Sequence, residues 1–189
     1  MTKVAIFIAD GTEETEAITP LDILRRAGIE ADLVSVKEGS NTITASRGVV
    51  ITADRNIADT DFDIDSYNML VLPGGIQGTN NLKATKSLTD ALLRFDKEGK
   101  GLAAICAAPT ILSSLGLLNG VRATCNPGFW DTLKAEGADL VKEEISVISG
   151  NKITSQAMGT SVSFGLAMLE YLTDRDQALD MASKICYKL

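Results

Sequence analysis

There is no histidine among the 189 residues. Ser-His-Asp and Cys-His mechanisms are thereby excluded, as are zinc sites that use imidazole. Any catalysis has to run on cysteine, carboxylates, lysine, tyrosine or backbone dipoles. Basic residues are also in the minority: 18 Lys and Arg face 25 Asp and Glu, a net charge of −7. Without a basic run there is no footprint for nucleic acid or anionic lipid, and neither is expected as a partner. The three cysteines, Cys106, Cys125 and Cys186, lie far apart with no CxxC pair. That usage fits a reducing compartment better than a disulfide scaffold. The apolar run from Val4 to Ala9 is too short for a signal-peptide core or a membrane span. A soluble, cytoplasmic protein is expected.

What remains is an ordinary globular composition, 45% hydrophobic and 23% charged. The length fits one domain over residues 1–189, burying roughly 70% of the surface of the unfolded chain. Val4 to Ala9, closed by Asp10-Gly11, reads as a strand buried on both faces. Ala17, Leu21 and Leu24 recur at helical spacing up to Gly28, with Pro20 expected to kink the helix or mark an early turn. Ala31 to Val36 is a second strand. Asn41 to Ala45 and Val49 to Ala53 suggest a small antiparallel excursion around Ser46-Arg47-Gly48. Met69 to Leu72 and Leu102 to Ile105 are further buried strands, with a helix through Leu88, Ala91, Leu92 and Phe95 between them. Arg122 to Cys125 and Ile153 to Ser155 look like short strands, and two helices close the chain. This alternation predicts a doubly wound α/β domain, a mostly parallel sheet with helices on both faces.

In such sheets ligands bind at the carboxyl ends of the strands. Three segments fall there: Asp10 to Glu16, Pro73 to Gly78 and Ile105 to Pro109. Cys106 lies between a buried strand and a helix, flanked by small residues that permit a sharp turn. A thiol before a helix has its thiolate favoured by the dipole and by free N–H groups. The competing reading is inert packing, since free cysteine is among the most buried residue types.

Gly11-Thr12-Glu13-Glu14-Thr15-Glu16, Arg25-Arg26-Ala27-Gly28, Ser46-Arg47-Gly48, Val71-Leu72-Pro73-Gly74-Gly75, Ala104-Ile105-Cys106-Ala107 and Gly159-Thr160 occur in this order. Together they resemble the DJ-1/ThiJ/PfpI superfamily, in its DJ-1 branch, over nearly the whole chain. The resemblance implies a flavodoxin-like sandwich, a homodimer and a nucleophile-elbow cysteine, with no metal or other cofactor. It makes Cys106 the reactive residue and Glu16 the carboxyl at its sulfur. Gly74 and Gly75 become a backbone cradle for an oxyanion or sulfinate. A carboxyl in an apolar pocket should stay protonated, donate to the thiolate and lower the thiol's pKa. Without the resemblance, Glu16 reads as part of a solvated acidic first turn with Glu13 and Glu14. Arg26 and Arg47 match arginines near the pocket mouth that could bind an anion, Arg47 approaching from the partner subunit. Their bland readings are a helix C-terminus for Arg26 and a surface turn charge for Arg47.

The chain also departs from the family pattern. Ala107 follows the cysteine where protease-like and chaperone branches carry histidine. Thr124-Cys125-Asn126-Pro127 stands where many relatives have a histidine-proline pair, and Asn126 cannot shuttle a proton. Cys125 falls beside that position, which allows a Cys106–Cys125 disulfide under oxidation unless strand alternation turns Cys125 to the opposite face. Ala157-Met158 replaces Gly-Pro before Gly159-Thr160, bringing bulk near the pocket. Two functions are implied. One is cofactor-free glyoxalase or deglycase chemistry on small reactive aldehydes such as methylglyoxal. The other is a redox sensor with chaperone activity that works through sulfinate formation at Cys106 in oxidative stress.

Overall fold

The computed structural model describes residues 2–188. In chain order the elements are β1 (Lys3–Ile8), α1 (Glu14–Arg26), β2 (Glu30–Ser35), β3 (Thr42–Thr44), β4 (Val50–Thr52), β5 (Arg55–Asn56), β6 (Met69–Leu72), α2 (Ile76–Ala84), α3 (Lys86–Lys97) and β7 (Gly101–Ile105). There follow α4 (Pro109–Ser114), β8 (Arg122–Ala123), α5 (Trp130–Ala135), β9 (Asp139–Leu140), β10 (Ser146–Ser149), β11 (Lys152–Ser155), α6 (Ser161–Leu172) and α7 (Arg175–Lys184). A seven-stranded sheet runs β10-β11-β7-β6-β1-β2-β5. Only β10, paired with β11, is antiparallel within it. This is the doubly wound α/β arrangement expected from the alternation, flavodoxin-like as the resemblance implies.

The sheet is buried on both faces, which is why its strands read as unbroken apolar runs. Side chains alternate along β1: Val4, Ile6 and Ile8 enter the core with Ala17, Leu21, Leu24 and Phe164. Ala5, Phe7 and Ala9 enter the other, with Leu88, Leu92, Phe95 and Leu112. One face is therefore covered by α1, α6 and α7 and the other by α3 and α4. Among the described residues no helix is long and apolar enough to cross a membrane.

Several local expectations need correcting. Helix α1 continues through Pro20, which is buried within it. The Arg122–Cys125 strand ends at Ala123. Strand alternation therefore says nothing about where Cys125 points, and it lies wholly buried on the α3/α4 side of the sheet. The antiparallel excursion is the β3–β4 ribbon, with Ile43 opposite Ile51. It is pinned to the β1–α1 loop by Gly11 N–H to Thr44 O and Ser46 N–H to Thr12 O, both 2.8 Å. That pinning places Ser46 and Arg47 over the carboxyl end of the sheet.

Candidate active site

Three loops converge at that end, after β1, β6 and β7. Glu13 N–H donates to Gly74 O at 2.9 Å, Cys106 N–H to Ser155 O at 3.1 Å, and Asn126 N–H to Cys106 O at 2.9 Å. Cys106 is thus held through its backbone by two neighbouring segments. Its φ of 65° is left-handed, a conformation that costs a non-glycine residue roughly 1–3 kcal/mol and clusters at functional sites. Ala107 and Ala108 are small and buried where the chain turns into α4.

The Pro73-Gly74-Gly75 exit supplies the facing wall. Gly75 has φ 85°, and a Cβ there would stand 2.2 Å from Gly11 O. Its N–H and that of Ala107 are directed at the Cys106 sulfur and favour its anion. Among the carboxyls of α1, Glu16 is the one that turns inward and is fully buried. Its Oε2 accepts the Gly74 N–H at 2.8 Å, while Oε1 is buried with no hydrogen-bond partner among the described residues.

Burial is the largest cause lifting Glu16 to about 7, opposed by the Gly74 N–H and assisted by the charge of Glu13. Because Oε2 is committed as an acceptor, the proton of the neutral acid sits on Oε1. The thiol does not show the expected depression. Burial first, then the negative charge of an ionised Glu16, push Cys106 up to about 12. Protonating Glu16 removes that repulsion and leaves the Gly75 and Ala107 N–H groups acting on the sulfur.

Cys106 opens onto a cavity of about 460 Å³, within the usual range for small-molecule sites. Glu16, Gly75, Ala107, Asn126 and Arg47 line it. Arg47 does so from the chain that carries Cys106, where the resemblance implies the partner subunit. Gly74 stands behind the wall, between Glu16 and Cys106. Arg26 is not part of the site: its Nε donates to Asp22 at 2.6 Å, and it borders a separate groove with Lys184 and Tyr187. Asn126 is engaged locally, its Oδ1 accepting the Gly128 N–H at 3.0 Å.

Sequence reasoning put the segments of Glu13, Ile76 and Gln77 at this end of the sheet without singling those residues out, and missed Ser46 and Phe129 as lining residues. For Glu13 the available signal was its position three residues before Glu16, one helical turn away on the same side. Met158 also lines the cavity and is half-exposed, at 52%. Among the described residues no group of three or more His, Cys, Asp or Glu is gathered to hold a metal ion.

Residues 2–171 match the model of the DJ-1/PfpI family. Protein DJ-1 homolog A of Arabidopsis thaliana is 35% identical over 95% of this chain and 45% of its own length. The chain thus spans less than half of that relative. The glutathione-independent glyoxalase DJ-1 of Schizosaccharomyces pombe is 33% identical over 94% of both chains. The structure of oxidized Toxoplasma gondii DJ-1 superposes with a TM-score of 0.92 at 32% identity, covering 100% of both chains. Matched over nine-tenths of its length in sequence and throughout its fold, the chain belongs to the DJ-1/PfpI family.

Proposed function

We propose that this protein detoxifies reactive carbonyls in the cytoplasm, converting methylglyoxal or its early adducts to lactate without a cofactor, as a homodimer. The observation that carries this reading is a cysteine in left-handed backbone beside a buried carboxylic acid, both facing a 460 Å³ cavity. The glyoxalase name of the S. pombe relative supports it. Cys106, acting as a nucleophile-elbow cysteine, attacks the aldehyde carbon to give a hemithioacetal. The Gly75 N–H steadies the developing oxyanion. Glu16 moves the proton between C1 and C2, which oxidises the first carbon and reduces the second, leaving a lactoyl thioester. Water then releases lactate and regenerates the thiol.

The redox-sensor reading draws on one specific feature, the unpartnered Glu16 Oε1. Carrying a proton, it would donate to a sulfinate oxygen on Cys106. The deciding experiment is lactate formation from methylglyoxal, without glutathione, by wild type and Cys106→Ala. Turnover by wild type alone supports the enzyme. No turnover by either, with peroxide oxidation confined to Cys106, supports the sensor.

A further inference from the structure

The site contains a second carboxyl with no assigned task. Hydrolysis of the thioester needs two proton transfers in different places. The attacking water must lose a proton on its approach side, and the departing sulfur must gain one. Glu16 is buried against the sulfur and suited only to the second. Asn126, on the cavity wall, has no proton to exchange. Glu13 also lines the cavity but is only partly buried, so it is open to water.

Glu13 is held firmly there. Its N–H is tied to Gly74 O at 2.9 Å. Its Oε2 accepts from Ser46 Oγ at 2.5 Å. Ser46 is itself anchored through its N–H to Thr12 O at 2.8 Å. Hydrogen bonding separates the two glutamates of this turn. Glu14 Oε2 takes the weaker contacts, 3.2 Å from Ser46 Oγ and 3.3 Å from Arg47 N, and does not line the cavity. Glu13 adds to the electrostatic pressure that keeps Glu16 protonated. Glu16, turned inward and fully buried, and Glu13, partly buried on the cavity wall, are two carboxyls of one site in different environments.

We propose that Glu13 is the general base that activates water against the acylated Cys106, and that Ser46 is its positioning residue. This rests on the glyoxalase reading. Water oxygen bonds to the thioester carbon while its proton passes to the Glu13 carboxylate. The carbon–sulfur bond breaks as the sulfur takes the Glu16 Oε1 proton. The products are a 2-hydroxy acid and the free thiol, with no net oxidation, and solvent returns the proton from Glu13 to Glu16.

The test is methylglyoxal turnover together with intact mass after desalting. Glu13→Gln should lose about a hundredfold or more in kcat, the scale of a general base. It should also accumulate a Cys106 adduct that survives desalting and that hydroxylamine releases as the hydroxamate, which marks a thioester and not a hemithioacetal. Ser46→Ala should show the same adduct with a smaller rate loss. Glu14→Gln should turn over within about twofold of wild type. An active wild type with an equally active Glu13→Gln overturns the proposal and leaves the glyoxalase reading standing. So does a Glu13→Gln that is inactive without accumulating thioester. A wild type that neither turns over nor acquires an adduct overturns both.

Discussion

Gly74 separates Glu16 from Cys106 with no space for one more carbon. Its N–H donates to Glu16 Oε2 at 2.8 Å. A Cβ on it would stand 2.6 Å from that oxygen, 2.7 Å from Cys106 Cβ and 3.0 Å from Ile105 O. The glycine brings acid and thiol into range of one another by lacking a side chain.

Gly74→Ala is therefore a wedge placed at the reacting pair. Its backbone is not left-handed, so the effect is steric. Overpacking of this kind costs about 1–3 kcal/mol. The variant should melt several degrees below wild type and lose methylglyoxal turnover by more than the Tm shift accounts for. Wild-type rates at a temperature where both variants are fully folded would show that the contact is looser than drawn.

Glu16 makes stability depend on pH in an unusual direction. The unfolded carboxyl releases its proton near 4.5, whereas the folded one holds it to about 7. Between those values the folded state binds more protons than the unfolded, so stability falls as pH rises and levels off above the window. The contribution is on the order of 3 kcal/mol. Glu16→Gln should lack that decline. Urea midpoints of the two proteins from pH 4.5 to 8 should therefore diverge, wild type falling relative to the variant. Parallel curves would mean that Glu16 is ionised throughout.

The fold is legible where residue type alone fixes the backbone and is not where tertiary contacts choose the face. β1, β6 and β7 are legible because a sheet covered on both sides demands apolar residues at every position. Helix α2 was not, since only Gly78, Thr79 and Leu82 of it are buried. Gly78 is there because a Cβ would stand 2.6 Å from the Thr12 backbone, a constraint invisible without the neighbour. Arg26, at a helix end, and Arg47, in a turn, differ in where their elements carry them. The β3–β4 ribbon carries one to the cavity, and the end of α1 leaves the other on Asp22.

Oxidation should distinguish the cysteines by environment. Cys125 is fully buried among the residues packed on α3 and α4, and burial pushes its thiol up to about 12. Cys106 packs against the opposite core but reaches the cavity. Mild peroxide should add oxygen at Cys106 and leave Cys125 as a free thiol until the protein unfolds. Peptide mapping of the native, oxidised protein checks this. A Cys106–Cys125 disulfide in the folded protein would show that the two sulfurs exchange faces.

Among the described residues Arg47 is the one cation lining the cavity, and its Nη1 donates to Ser46 O at 3.2 Å. Methylglyoxal is neutral and the 2-hydroxy acid product is an anion, so the guanidinium should discriminate between them. Hydrogen bonds to charged groups contribute about 1.5–3 kcal/mol, which sets the scale for losing one. Arg47→Ala should weaken inhibition by lactate roughly tenfold, a loss at or just below the low end of that scale, while the KM for methylglyoxal moves less than about twofold. Arg26→Ala, outside the cavity, should change neither. Lactate inhibition that survives in Arg47→Ala would leave the Gly75 and Ala107 N–H groups as the only seat for the product's charge, and the arginine would be a surface residue that merely overlooks the site.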